Sequence, residues 1–187
     1  MKIHWILLAA GLSRRFGENK LLYPVNGKKL YRYSLERMAA LAEKRQERLA
    51  VVTSHEAIRQ ELAGEKAEVI WNPKAETGIA SSIHCAIGHL GISEDAAYLF
   101  SVADQPFLKK QTIEEFSTAF LRTQKGIGCV AHEGKYGNPV IFHEKYVPEL
   151  LKLEGDQGGK RVLNRHLKDV FAFEVEEEKE LMDIDRR

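Results

Sequence analysis

An α/β domain built on a largely parallel sheet is the fold class this chain predicts, and three observations predict it. Short apolar runs alternate with segments of helical periodicity from one end to the other. The run from Ala97 to Val102 is almost wholly apolar, as expected of a central strand covered on both faces. With 187 residues the chain has the size of one domain, large enough to bury a core without disulfides or metals. Residues 1–187 are therefore expected to form a single unit.

Ile3 to Ala10 reads as the first buried strand: too short to span a membrane and too rich in Ile and Leu for a surface loop. Leu30, Ser34, Leu35, Met38, Leu41 and Ala42 recur at helical spacing, and Leu49 to Thr53 reads as the second strand. Ile58 and Leu62 mark a short helix, and Glu68 to Trp71 a third strand closed by Asn72-Pro73. Gly78 opens a helix carrying Ser81, Ser82, Ile83, Ala86, Ile87 and Leu90, with hydroxyls in its first turn. After the fourth strand, Ala97 to Val102, Thr112 with Glu115 three residues on predicts a capping box for a helix whose apolar face is Phe116, Phe120 and Leu121. Gly128 to Ala131 and Val140 to Phe142 predict paired strands around a turn from Glu133 to Asn138. Short helices at Val147 to Leu153 and Arg161 to Leu167 precede a last strand, Val170 to Val175, and Glu176-Glu177-Glu178 reads as a solvated charge run.

Composition excludes several classes of function. Lys plus Arg number 28 against 27 Asp plus Glu, a formal charge of +1, so there is no global field for nucleic acid or a membrane surface. Cys85 and Cys129 each lie in an apolar stretch, which suits reduced core thiols and a cytoplasmic location. The N-terminal apolar tract is short, contains His4 and runs into Arg14-Arg15, so it is not read as a signal peptide. The histidines show no metal-ligand spacing; His84 and His89 are poorly aligned on a helix.

The most informative stretch is the one that follows the first strand, from Leu8-Ala9-Ala10-Gly11 through Ser13, Arg14 and Arg15 to Gly17 and Lys20. Gly11 is expected to let the backbone turn sharply and approach a ligand. Ser13 offers a hydroxyl, while Arg15 and Lys20 supply a planar fork and a mobile point charge for polyphosphate; Arg14 is the cation that can instead point to solvent. A Walker A loop is excluded because five residues separate Gly11 from Gly17 and Glu18 follows, and Leu12-Ser13 breaks the dinucleotide fingerprint.

This loop resembles that of the molybdenum cofactor cytidylyltransferases, the MocA-like nucleotidyltransferases related to the molybdopterin guanylyltransferases. Four further segments agree in order: Gly78-Ile79-Ala80-Ser81-Ser82, Ala103-Asp104-Gln105-Pro106, Gly134 to Pro139, and Gly155 to Arg161 followed by Asp183-Ile184-Asp185. Where the family continues with Thr-Pro-Glu, this chain reads Arg186-Arg187. The resemblance implies a three-layer, mostly parallel twisted sheet of the Rossmann-like nucleotide-diphospho-sugar transferase fold. It also implies Mg²⁺-dependent transfer of CMP from CTP to molybdopterin, releasing pyrophosphate, for maturation of xanthine-dehydrogenase-type enzymes in purine catabolism.

Residue by residue, it places Leu8, Ala9, Ala10, Gly11, Ser13, Arg15, Lys20, Ser81 and Ser82 on the nucleotide. Arg15, Lys20 and Asp104 are the expected catalytic groups; Asp104 is the first metal ligand, with Asp183 or Asp185 completing the shell. Gly137, Asn138, Pro139, Asp156, Gly158, Gly159 and Arg161 are expected on the acceptor side, where adjacent glycines before Lys160-Arg161 can cradle a phosphate. Base choice is expected from the backbone of Leu8 to Gly11, and Ala-Ala-Gly rather than Ala-Gly-Gly looks like the cytidine-using branch. The expected partners are small-molecule substrates and a molybdenum hydroxylase apoenzyme or its chaperone, with no nucleic acid and no membrane. Rival readings are use of GTP, a sugar-phosphate acceptor, or a non-catalytic cofactor carrier; Arg15, Lys20 and Asp104 together argue against the carrier.

Overall fold

Alternating strands and helices run through the chain in a computed structural model that describes residues 1–12, 16 and 19–184. Strand β1 (Lys2–Ala9) is followed by a 3-10 turn at Lys20–Leu22 and a small hairpin, β2 (Pro24–Val25) with β3 (Lys28–Lys29). Then come α1 (Leu30–Arg45), β4 (Leu49–Thr53), α2 (Glu56–Glu61), β5 (Glu68–Trp71), α3 (Ile79–Leu90) and β6 (Ala96–Val102). The remaining elements are α4 (Lys110–Arg122), β7 (Ile127–His132), β8 (Lys135–His143), α5 (Val147–Leu150), α6 (Gly159–Arg165), β9 (Val170–Glu174) and a 3-10 turn at Glu178–Leu181.

Seven strands form one sheet in the order β5-β4-β1-β6-β8-β7-β9. β1 lies parallel to β4 and β6, β4 to β5, and β9 to β7, whereas β8 pairs antiparallel with both β6 and β7. The largely parallel sheet is therefore observed, with β8 the strand that runs against the rest. Successive side chains of β1 point to opposite faces. Trp5 and Leu7 pack with Tyr31, Leu35 and Met38 of α1 and Phe116 and Phe120 of α4, while Ile6 packs with Ile83 and Ile87 of α3, Leu150 of α5 and Val162 of α6. Helices thus cover both faces, which gives the three layers.

Two local expectations are corrected. The hairpin turn between β7 and β8 is only Glu133-Gly134, both at positive φ, and Lys135 to Asn138 already belong to β8. The capping box is not formed, because Thr112 lies inside α4 and the N-cap residue Lys109 makes no side-chain cap. Instead the buried Glu180, from the last 3-10 turn, accepts from Lys109 N at 3.1 Å and from Thr112 Oγ1 at 2.5 Å. A carboxylate at the helix start satisfies an orphan amide and the helix dipole together. The run Glu176–Glu178 is exposed as expected, with Glu177 paired to Lys109.

Candidate active site

From β1 the chain crosses through α1 to β4 on one side, and from β5 it crosses through α3 to β6 on the other. The carboxyl ends of β1 and β6 therefore flank the point where the winding reverses, the place where parallel α/β sheets open a ligand crevice. A cleft of about 410 Å³ lies there, lined by Leu8, Ala10 and Gly11 from the β1 end, Lys20, Ser82 and Asp104. Phe16 and Glu76 also line it, as do Gly78 at the start of α3 and Asp156 from the loop before α6.

The turn bearing Asp104 is held at each of its residues. Ala103 N donates to Leu8 O at 3.2 Å and Ile184 N to Asp104 O at 3.0 Å. Gln105 Nε2 donates to Leu181 O at 3.1 Å, and Arg37 Nη2 donates to Pro106 O at 2.6 Å. The Asp104 carboxylate is thus fixed at the mouth of the sheet, and Lys20 Nζ sits 2.7 Å from its Oδ2. The two groups assigned to metal and to phosphate meet each other, with side chains only 20% and 13% exposed. Lys20 starts the short turn that Asn19 caps by accepting from Leu21 N at 3.1 Å.

Gly11 differs from expectation in mechanism. Its φ is not in the positive region, and a Cβ there would meet nothing within 4 Å, so its contribution is open space at the cleft rather than a sharp turn. Gly78 is the glycine that the backbone demands: φ is +113°, and a Cβ would lie 2.2 Å from Gly155 C and O. That close approach brings Asp156 to the cleft, and Ala80 N donates to Gly155 O at 3.1 Å.

Base reading by bare backbone carbonyls is also modified. Thr53 Oγ1 donates to Ala9 O at 3.0 Å and Ser54 Oγ to Ala10 O at 3.4 Å, while His55 Nε2 lies 3.0 Å from Gly11 O. Ala9 is fully buried and does not line the cleft. Asn72, which the sequence marked only as a strand end, is buried beside α3. Its Nδ2 donates to Ser81 Oγ and to Ser82 Oγ, both at 2.9 Å, and its Oδ1 accepts from Lys74 N. Ser81 spends its own proton on Gly78 O at 2.8 Å and stays off the cleft wall. Ser82 Oγ accepts from Asn72 and donates to no acceptor among the described residues, so its proton is available to the cleft.

A second cavity, about 360 Å³, lies on the other side of the Asp104-Gln105 turn and is lined by Gln105, His132, Lys135, Gly137, Asn138 and Lys160, with Asp183 also on its wall. Of the expected acceptor residues, the structure brings Gly137 and Asn138 here and Asp156 to the first cleft. Pro139, Gly158, Gly159 and Arg161 line neither. The glycine pair has a packing role instead: a Cβ on Gly159 would lie 2.8 Å from Phe142 Cε2. Ser13, Arg15 and Asp185, like Arg14, lie outside the described residues. Gln105, His132 and Asn72 were missed. Gln105 stands inside the segment Ala103 to Pro106, whose pattern singles out Asp104; for His132 and Asn72 the one signal, a polar residue at the carboxyl end of a strand, also marks ordinary turns.

A donor set of one fixed carboxylate, with Asp183 next to the residue bonded to Asp104 O, fits an ion that takes most of its ligands from phosphate and water. Among the described residues no cluster of three or more His, Cys, Asp or Glu could cage a metal alone. Among the described residues, the cleft lining includes Glu76, Asp104 and Asp156 beside Lys20.

A doubly wound sheet with a lysine and a carboxylate paired at its switch point has the architecture of the nucleotide-binding α/β proteins. Residues 5–170 match the MobA-like NTP transferase domain; the chain belongs to that family and is a nucleotidyltransferase. It is 26% identical over 189 residues to the purine catabolism protein PucB of Bacillus subtilis, covering 96% of this chain and 90% of PucB. It is 29% identical over 150 residues to a probable molybdenum cofactor guanylyltransferase of Thermococcus sibiricus, covering 79% and 70%. Among solved structures, Rv0371c from Mycobacterium tuberculosis superposes with a TM-score of 0.81 at 21% identity over 100% of this chain and 94% of that one. The manganese complex of Rv0371c superposes with a TM-score of 0.74 at 19% identity, over 94% and 89%. No helix among the described residues is long and apolar enough to cross a membrane.

Proposed function

We propose that this nucleotidyltransferase transfers CMP from CTP to the phosphate of a molybdopterin-type cofactor, releasing pyrophosphate, and that the dinucleotide product serves a molybdenum hydroxylase apoenzyme or its chaperone. The observation that carries the reading is the Lys20–Asp104 pair at the switch point between two cavities. The first cleft takes the triphosphate and the second takes the acceptor. An acceptor phosphate oxygen attacks the α-phosphorus, the α–β bridging bond breaks, and pyrophosphate leaves with the electron pair. Little covalent chemistry falls to the protein, so position and charge decide the rate.

Asp104 with Asp185 would hold Mg²⁺, which when bound neutralises charge on the phosphate oxygens. Lys20 leaves the Asp104 carboxylate and, with Arg15, takes up charge on the departing pyrophosphate. Ser82 donates to an acceptor atom of the base, which suits the N3 and O2 of cytosine, and the Ala9-Ala10-Gly11 sequence supports the same choice. Similarity to a purine catabolism protein supports a role with xanthine-dehydrogenase-type enzymes, while similarity to a guanylyltransferase keeps GTP as the second reading.

The test is pyrophosphate release from CTP, GTP, ATP and UTP in the presence of molybdopterin. Fastest turnover with CTP is expected. Faster turnover with GTP would reject the cytidine assignment, release only with a sugar phosphate would move the acceptor, and release with no nucleotide would favour a carrier.

A further inference from the structure

Helix α1 joins the two segments that meet in the cleft. The chain that follows Lys20 is fastened to the start of α1: Leu30 N donates to Tyr23 O at 3.0 Å, and Tyr33 Oη donates to Val25 O of the small hairpin at 2.6 Å. One turn further along, the Arg37 guanidinium lies 5.6 Å from the centre of the Tyr33 ring, and its Nη2 donates to Pro106 O at 2.6 Å. Residues four apart share a face of a helix. One stripe of α1 therefore holds the Lys20 segment at one end and the Asp104 turn at the other. The helix is itself fixed, because Tyr31, Leu35 and Met38 are buried in the core with Trp5 and Leu7 of β1.

Burial works against a charge at this position. It lowers the Arg37 pKa from its ordinary value, and Nη1 is buried with no hydrogen-bond partner among the described residues. A buried donor without an acceptor destabilises a fold, so packing alone would favour an apolar side chain here. We infer that Arg37 is a positioning residue for nucleotidyl transfer, which fixes the Asp104 turn against α1 and so keeps the Asp104 carboxylate in register with Lys20, 2.7 Å away. Arg37 acts through Pro106 and touches no substrate. The inference rests on the assignment of Asp104 to the reacting phosphates and adds to it the residue that sets its place. Misplacing a reacting group by 1 Å can lower a rate by about a hundredfold.

The test compares the full-length parent, Arg37→Met, Arg37→Lys and Asp104→Asn. Arg37→Met removes every donor and keeps an unbranched stem against the Tyr33 ring, whereas Arg37→Lys keeps a charge and a donor for Pro106 O. Amide hydrogen exchange, without metal or nucleotide, is followed from Ala103 to Phe107; pyrophosphate release is followed with molybdopterin and CTP, or GTP should the parent prefer it, over a range of Mg²⁺ concentrations. In Arg37→Met the turn amides are expected to exchange about tenfold faster while those of β1 do not change. The Mg²⁺ concentration for half-maximal rate is expected to rise about fivefold, and Arg37→Lys to recover most of both changes. That concentration does not depend on how much of the protein is folded, so loss of stability alone would not move it. Should Arg37→Met fail to fold, the shorter, polar Arg37→Gln is read in its place. If Asp104→Asn is impaired and the Arg37 variant keeps the parent's Mg²⁺ requirement, whatever its exchange, this inference is overturned and the reading of Asp104 stands. If Asp104→Asn turns over as the parent does, both fall.

Discussion

Removing the Asn72 side chain should weaken both the fold and the nucleotide site, in separable ways. Asn72 is fully buried and makes three hydrogen bonds: two donated to Ser81 and Ser82, one accepted from Lys74 N. At about 1 kcal/mol net for each bond, Asn72→Ala costs about 3 kcal/mol. A domain of this size loses about 2–4 °C in Tm for each kcal/mol, so a fall of about 6–12 °C is expected in a thermal melt. Asn72→Asp is the sharper variant. It keeps the shape and the oxygen that serves Lys74, but it cannot donate, so both serine hydroxyls must turn toward the carboxylate. The Ser82 proton is then withdrawn from the cleft, and calorimetric titration with CTP should show binding about tenfold weaker. An Asn72→Asp protein that binds CTP as the parent does would refute the orientation argument, even with Asn72→Ala destabilised.

Three other perturbations follow from the same geometry. Gly78→Ala places a Cβ 2.2 Å from Gly155 backbone atoms at a φ of +113°, and strain with overpacking should cost about 2–6 kcal/mol in urea unfolding; a cost under 1 kcal/mol would deny the close approach. Lys20→Ala should weaken triphosphate binding more than monophosphate binding, and equal losses for the two ligands would remove Lys20 from the phosphates. The Arg48 guanidinium, with His89 adding to it, holds the Glu68 carboxyl down at about 2 against burial, which pushes it up. A carboxyl lowered in the folded state stabilises above its unfolded value and loses that contribution as pH falls. The stability gap between the parent and Glu68→Gln should therefore be full at neutral pH and close between about pH 4.5 and 2 in acid titration; a gap that stays constant would contradict the pairing.

Strand positions were legible from apolar runs closed by turn residues: Leu49–Thr53, buried along its length, and the edge strand Glu68–Trp71 before Asn72-Pro73 are observed with the ends their sequence predicts. The placement of Lys20, Asp104 and Ser82 on one cleft was legible because each sits within a short local pattern at the carboxyl end of a strand or the start of a helix. What sequence hid depends on distant partners. The cap of α4 comes from Glu180, 68 residues beyond Thr112, so a local Thr-x-x-Glu pattern gave the wrong capping residue. Gly158-Gly159 looked like a phosphate cradle, yet the constraint on Gly159 is the Phe142 ring from β8. Asn72 and Gln105 acquire their roles only when α3 and the tail fold back on them.

Pyrophosphate release from CTP and molybdopterin by the parent and by Asp104→Asn, at limiting Mg²⁺, tests the central claim most directly. The amide nearly conserves volume and also serves as a turn or helix cap, so a merely structural aspartate would tolerate it. An aspartate that anchors the metal at the reacting phosphates predicts a folded protein with turnover lowered at least about a hundredfold, partly restored by high Mg²⁺ or by Mn²⁺. Turnover within a few-fold of the parent would contradict the account and remove Asp104 from the reaction.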